Sequence, residues 1–294
     1  MRIAADRPEV ALAVDGEPLA YRVFGPEGGA LAPILTVHGL LSSTSHWPYF
    51  IDHYSARRTV ISWEYRGHGG TLAPKEMRSV TVEQFADDAH AVLTATGRGP
   101  AVVVGLSFGV QVALEHYRRH PADVRALVLI CGTYGHPLDR LTSNGRVRAA
   151  AAGLVRALGR REGIARRLLP IARTRLVREL AFLTGGAHRE HCPPAVLDGL
   201  LEHVANLDPR VIGAITASYF EHSAEAVLPT VRVPTLIIAG DKDELTPVAR
   251  AEHMARTIPD AELRVFPGHS HLVQVERPRE VHEVIDDFLQ RRGL

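Results

Sequence analysis

Ala101-Val102-Val103-Val104-Gly105-Leu106-Ser107-Phe108-Gly109, followed by the stretch Val110 to His120, decides the reading of this chain. The β-branched run at its start has the character of a buried strand. After Gly109, apolar Val110, Ala113, Leu114 and Tyr117 recur at helical spacing, and Pro121 marks the end. A serine between such a strand and such a helix must occupy a very tight turn. Glycines at 105 and 109 suit that turn, because side chains there would collide with the neighbouring strand and helix. The serine oxygen is then exposed, and the helix N-terminus behind it favours developing negative charge.

This arrangement resembles the nucleophile elbow of the α/β-hydrolase family, whose chain order is Ser, then acid, then His. The resemblance extends over about 240 residues, through four segments in the family's order. Ile34-Leu35-Thr36-Val37 reads as a strand, and His38-Gly39-Leu40-Leu41 after it is similar to the family's His-Gly oxyanion segment. The resemblance implies that the backbone N–H groups of Leu40 and Phe108 stabilise an oxyanion. Tyr65-Arg66-Gly67-His68-Gly69, after the strand Thr59 to Trp63, matches the tight turn beside that loop.

Downstream, Val233 to Gly240 has a buried-strand pattern and runs into Asp241-Lys242-Asp243. By the family's spacing the orienting carboxylate is Asp243, with Asp241 as the alternative; either could instead cap the helix starting near Pro247. Glu262 to Phe266 reads as the last strand, and two histidines, His269 and His271, follow. Counting back from Glu276 and Pro278 in the family's frame favours His271. His269, in a Gly-His dipeptide, is the competitor, expected to line the pocket mouth. Ser107, Asp243 and His271 are therefore the expected triad: imidazole takes the serine proton, and carboxylate fixes its tautomer and stabilises the imidazolium. His38, Trp47 and His269 are the expected substrate-binding residues, with His38 chiefly holding its loop in place and Trp47 equally expected as a core or cap-contact residue.

The resemblance implies an α/β fold with a mostly parallel central sheet flanked by helices. Residues 10–24 alternate around Asp15-Gly16, a hairpin signal. Strand and helix patterns then alternate through Leu127 to Cys131, until strand signals stop between Tyr134 and Val227. This implies a core of 1–133 and 228–294 interrupted by an all-helical cap, 134–227, that covers the serine and shapes the pocket.

Within residues 140–189, 12 arginines face only Glu162 and Glu179. That is either a surface for anionic substrates, lipids or an acidic partner, or a set of solvated helix faces in an arginine-rich chain. His188-Arg189-Glu190-His191-Cys192 lacks a second cluster to complete a metal site, and His116 and His120 lack the Glu of H-E-x-x-H. No cofactor or metal is expected.

At 294 residues, 46% hydrophobic and 23% charged, the chain can bury a large core and has ordinary globular composition. A formal charge of +1 gives no reason to expect nucleic acid. Two cysteines, Cys131 and Cys192, indicate no disulfide framework. Met1 to Asp6 lacks a signal core, and no run reaches a membrane span, so a cytoplasmic location is the expectation. Oligomeric state is not legible. The activity expected is cleavage of an ester, lactone or thioester of a small molecule. Carbon–carbon hydrolysis, cofactor-free haloperoxidation, cyclisation or ligand reception on the same scaffold are the alternatives. Ser107 argues against dehalogenase and epoxide hydrolase chemistry, which the family performs with Asp at the elbow.

Overall fold

Valine-rich runs that would be insoluble alone are stacked here as neighbours. The computed structural model describes residues 8–140 and 144–294, so the stretch Met1 to Asp6 lies outside the described residues. Eight strands form one sheet in the order β1-β2-β4-β3-β5-β6-β7-β8. They are β1 (Glu9–Leu12), β2 (Pro18–Phe24), β3 (Ile34–Val37), β4 (Val60–Trp63), β5 (Ala101–Leu106), β6 (Val124–Ile130), β7 (Thr235–Gly240) and β8 (Ala261–Phe266). β2 runs antiparallel to β1 and β4, and every other pairing is parallel. The hairpin turns at Gly16, whose φ of 81° is cheap only for glycine. β5 extends through Gly105 and Leu106, two residues beyond the valine run that announces it.

The helices are α1 (Pro48–Ser55), α2 (Val82–Thr96), α3 (Phe108–Arg119), α4 (Gly145–Arg160), α5 (Glu162–Leu168), α6 (Arg175–Leu183), α7 (Pro194–Asn206), α8 (Pro209–Glu221), α9 (Val248–Thr257), α10 (Val273–Glu276) and α11 (Pro278–Arg291). Two apolar layers sandwich the sheet. Leu35 and Val103 point to the layer built with α2, α3 and α9, whereas Ile34, Val102 and Val104 point to the layer of α1 and α11. This is the period-two alternation of a pleated strand covered on both faces. No described helix is long and apolar enough to cross a membrane.

α4 to α8 all fall between β6 and β7, where strand signals cease in the sequence. Gly159 does not break α4, which continues to Arg160. There glycine lets α4 cross α8 closely, since a Cβ would lie 2.6 Å from the Pro209 carbonyl oxygen. α8 departs from the expected division at 227. Its Val211, Ile215 and Tyr219 belong to the same buried cluster as Phe85 and Phe108. A Cβ on Gly67 would meet Val211 Cγ2 at 2.6 Å, and Ser218 Oγ accepts the Val82 N–H at 3.0 Å. Packing fixes α8 to the core, so excising 134–227 would open that core.

The tight turn after β4 is tied down by charge. Arg66, fully buried, donates to Asp88 through Nε at 2.8 Å and Nη2 at 2.7 Å, and to Asp15 through Nη1 at 2.6 Å. One guanidinium fork thus links the leading hairpin, the turn and α2.

Candidate active site

The C-terminal ends of β3, β5 and β7, with the loop after β8, converge on one point. At the end of β5 the chain reverses through Ser107 with φ 56° and ψ −118°, a conformation few non-glycine residues adopt. α3 begins at the next residue. A Cβ at Gly105 would sit 2.6 Å from the Gly109 carbonyl oxygen, and one at Gly109 would clash with the Val37 carbonyl oxygen. Neither position tolerates a side chain, which is the physical content of the two glycines.

Ser107 Oγ lies 2.8 Å from His271 Nε2, and His271 Nδ1 lies 2.8 Å from Asp243 Oδ2. Asp243, 4% exposed, accepts four hydrogen bonds. Oδ1 takes the N–H groups of Leu245 (2.9 Å) and Thr246 (2.8 Å); Oδ2 takes Thr246 Oγ1–H (2.6 Å) and His271. Such a carboxylate is held in one orientation. With Nδ1–H committed to Asp243, the free lone pair of the imidazole faces the serine hydroxyl. Burial disfavours the His271 imidazolium, but the charge and hydrogen bond of Asp243, with the charge of Glu276, outweigh it. The net result is a pKa above the ordinary histidine value. Asp241 is exposed and receives the Gly268 N–H at 2.6 Å, so it shapes the β8 loop instead of meeting the imidazole.

Leu40 lies on the loop after β3, which passes directly over the serine: a Cβ on Gly39 would sit 3.4 Å from Ser107 Cβ. Leu41 has φ 55°, a second strained non-glycine residue beside Ser107. Among the described residues, no acceptor outside a regular element takes the N–H of Leu40 or Phe108. Both sit beside Ser107, Phe108 as the first residue of α3, where an amide has no partner within the helix.

Three expected substrate contacts are corrected. His38 is fully buried: its ring bonds the Trp63 carbonyl oxygen through Nε2 and accepts Trp47 Nε1–H at Nδ1, 2.7 Å. Burial pushes its pKa down to about 3, so the ring is neutral and joins the loop after β3 to β4. Trp47, 1% exposed, is spent on that bond and on packing against Phe50. His269 donates from Nδ1 to Glu276 Oε2 at 3.2 Å and accepts Arg277 Nε–H at 2.9 Å. All three lie off the cavity because their polar atoms already have partners within the protein.

Glu276, which enters the sequence reading only as a ruler, organises the histidine loop. Its carboxylate takes the N–H groups of Ser270 (3.0 Å) and His188 (2.9 Å), and the Ser270 hydroxyl. Thr246 and the Gly185 carbonyl oxygen, which accepts the His271 N–H at 2.9 Å, also escape sequence reasoning. Thr246 lies three residues beyond Asp243, a side-chain-to-backbone spacing that could have flagged it.

A cavity of about 530 Å³ opens over Ser107 and His271, within the range of small-molecule sites. Its walls come from α6 (Val177, Leu180) and α7 (Val196, Leu197, Leu200), closed by Leu245. Among the described residues, no arginine or lysine lines it. A possible metal group, His90, His120 and Asp123, brings its donor atoms within 4.8 Å of one another, but far from this cavity. It sits at the other end of α3, roughly 20 Å along the helix. His90 and His120 are already bonded there to Asp123 (2.7 Å) and Asp87 (2.8 Å). At the other sequence candidate, His188 Nδ1 accepts the N–H groups of Glu190 and His191.

Residues 34–284 match the model of the Alpha/beta hydrolase family. The chain is 30% identical over 270 residues to a pimeloyl-[acyl-carrier protein] methyl ester esterase of Aromatoleum aromaticum, covering 87% of this chain and 98% of that protein. It is also 30% identical to a 2-hydroxymuconate semialdehyde hydrolase of Pseudomonas putida, covering 92% and 91%. Among solved structures, a thermophilic esterase from Thermogutta terrifontis superposes with a TM-score of 0.79 at 25% identity, covering 98% of this chain and all of that one.

Proposed function

The chain belongs to the alpha/beta hydrolase family, and on that footing we propose that it is a serine hydrolase acting through an acyl-enzyme. Its substrate is an ester, lactone or thioester of a small to medium apolar molecule. The observation that carries the reading is the hydrogen-bonded relay Ser107 Oγ, His271 Nε2, His271 Nδ1, Asp243 Oδ2, with 2.8 Å at both junctions. In the first half-reaction the serine oxygen attacks the carbonyl carbon as its proton passes to His271 Nε2. The developing oxyanion is met by the N–H groups of Leu40 and Phe108, each worth about 3 kcal/mol of barrier by analogy with side-chain donors. Collapse expels the alcohol or thiol, which takes the proton from His271. Water then attacks the acyl carbon as its proton passes to His271, and collapse breaks the bond to Ser107 Oγ, which takes that proton back from His271 as the acid leaves.

Val177, Leu180, Leu197 and Leu200 form an apolar wall over the serine. The helical segment is therefore the cap that selects the acyl or leaving group, with α8 as its fixed base. Carbon–carbon bond hydrolysis is the second reading, and the similarity to a 2-hydroxymuconate semialdehyde hydrolase keeps it in play. A ring-cleavage product with a carboxylate would want a cation in the cavity, and the absence of arginine or lysine there favours the ester.

The test is a panel of p-nitrophenyl esters of rising chain length, with uncharged lactones and a carboxylate-bearing ring-cleavage product. Turnover concentrated on uncharged apolar esters or lactones is the expected result. Preference for the carboxylate-bearing carbon–carbon substrate would overturn the reading.

A further inference from the structure

α4, α5 and α6 carry two properties that a surface facing only water would not combine. More than half of the exposed large hydrophobic side chains among the described residues fall between Val147 and Leu183, with Leu176 at 74% and Leu183 at 78% exposure. The same stretch is densely cationic. Arg156, Arg166, Arg173 and Arg178 are ion-paired to Glu221, Glu162, Glu202 and Asp198. Among the described residues, no carboxylate lies within 4.0 Å of Arg146, Arg160, Arg161 or Arg167, and Arg160, Arg161 and Arg167 are exposed. Leu158, Ile164 and Leu168, each more than half exposed, meet around a shallow groove of about 180 Å³ with Arg161 at its edge.

We propose that this face docks on an anionic lipid surface, its aliphatic side chains entering the headgroup–acyl boundary and its unpaired arginines neutralising lipid phosphates. Aliphatic residues interleaved with arginines are the composition of an interfacial helix, and each arginine near an anionic surface adds electrostatic attraction. The face is continuous with the cavity: Leu180 is 54% exposed and also lines the wall over Ser107. An apolar molecule leaving the lipid phase would thus meet α6 before it met water. A second copy of the chain fits poorly, because a two-fold contact would set unpaired arginines against unpaired arginines. An acidic protein would match the charge but leave Leu176 and Leu183 to be covered by apolar surface.

The docking proposal goes beyond the hydrolase reading and is tested without turnover. Full-length protein is co-sedimented with vesicles of phosphatidylcholine alone, and with vesicles containing phosphatidylglycerol. Binding to the anionic vesicles should be at least about tenfold tighter and should fall as salt rises. Arg160→Glu/Arg161→Glu/Arg167→Glu should reduce it by about a hundredfold or more. Leu176→Ser/Leu183→Ser should weaken it while leaving its salt dependence in place. All positions are exposed, so an unchanged thermal midpoint serves as the folding control, and Ser107→Ala should bind as the unsubstituted chain does. Equal or absent binding to the two vesicle types would overturn the proposal. So would a concentration-dependent dimer that Leu176→Ser/Leu183→Ser dissolves, or binding to an acidic carrier protein without binding to vesicles.

Discussion

The strand-end site and the helical segment above it solve opposite problems with opposite means. At the strand ends, Asp243 accepts four hydrogen bonds, Glu276 anchors the loop that carries His271, and Ser107 is held at a strained φ of 56°. In α4 to α6 most of the exposed side chains are aliphatic or cationic, and each ion-paired arginine of these helices named above has its partner at the surface. Bond-making chemistry needs atoms held to fractions of an ångström, so it sits where packing and hydrogen bonds determine each position. Selection among apolar molecules needs only a wall of the right volume, which leucines on α6 and α7 supply. Substitutions at the strand ends should therefore act on rate, and substitutions in the helices on preference.

The strand-end residues should act as a unit. Ser107→Ala and His271→Ala should each lower kcat by about 10⁴-fold or more, and the double variant should lose little beyond either single. His269→Ala should cost far less and act through loop order. An inactive His269→Ala beside an active His271→Ala would mean that the wrong imidazole is on the relay.

Removing a buried support should damage the fold more than the chemistry. Asp88→Ala leaves the buried Arg66 guanidinium with only the half-exposed Asp15, and should cost about 3–5 kcal/mol in denaturant unfolding. A loss below 1 kcal/mol would show that the turn is not held by charge.

Thr246→Val sharpens the contrast at smaller scale. It removes one hydrogen bond to Asp243 Oδ2 and should lower kcat about tenfold with KM little changed. The pH profile of kcat/KM supplies a companion test. Only neutral His271 can accept the serine proton, and its pKa is raised. The ascending limb should therefore lie above the ~6.5 of an unperturbed imidazole, with activity lost as pH falls through it. Asp243→Asn removes the raising charge and should move the residual limb down. The same shift stabilises the fold at pH below the unfolded-state value, and that contribution fades as pH rises through the raised one.

The smallest effects belong to the helices. Leu200→Phe in the cavity wall should change the ratio of kcat/KM between short and long esters by about tenfold. It should leave the rate of covalent labelling at the serine nearly unchanged.

What the sequence discloses follows the same division. The elbow is legible because backbone sterics demand glycine at 105 and 109, and the strands because their β-branched and apolar runs are short and buried in character; Asp243 and His271 follow only from the family resemblance, through its spacing frame on Glu276 and Pro278. The roles of His38, Trp47 and His269 are not legible, since a histidine beside a catalytic loop has the same letter whether its nitrogens face solvent or a carbonyl. α8 escaped for a related reason. Val211, Ile215 and Tyr219 have helical spacing wherever the helix packs, and nothing in that periodicity names the partner. The wall of the cavity is visible in the sequence only as a class, an all-helical cap between residues 134 and 227.

The central claim is that Ser107 is the nucleophile and His271 its base. Incubation with a fluorophosphonate followed by peptide mass mapping tests it directly. One adduct per chain, on Ser107, slowed by at least about a thousandfold in His271→Ala and unaffected in His269→Ala, is the predicted result. Labelling at another serine, or labelling of Ser107 at full rate without His271, would contradict it.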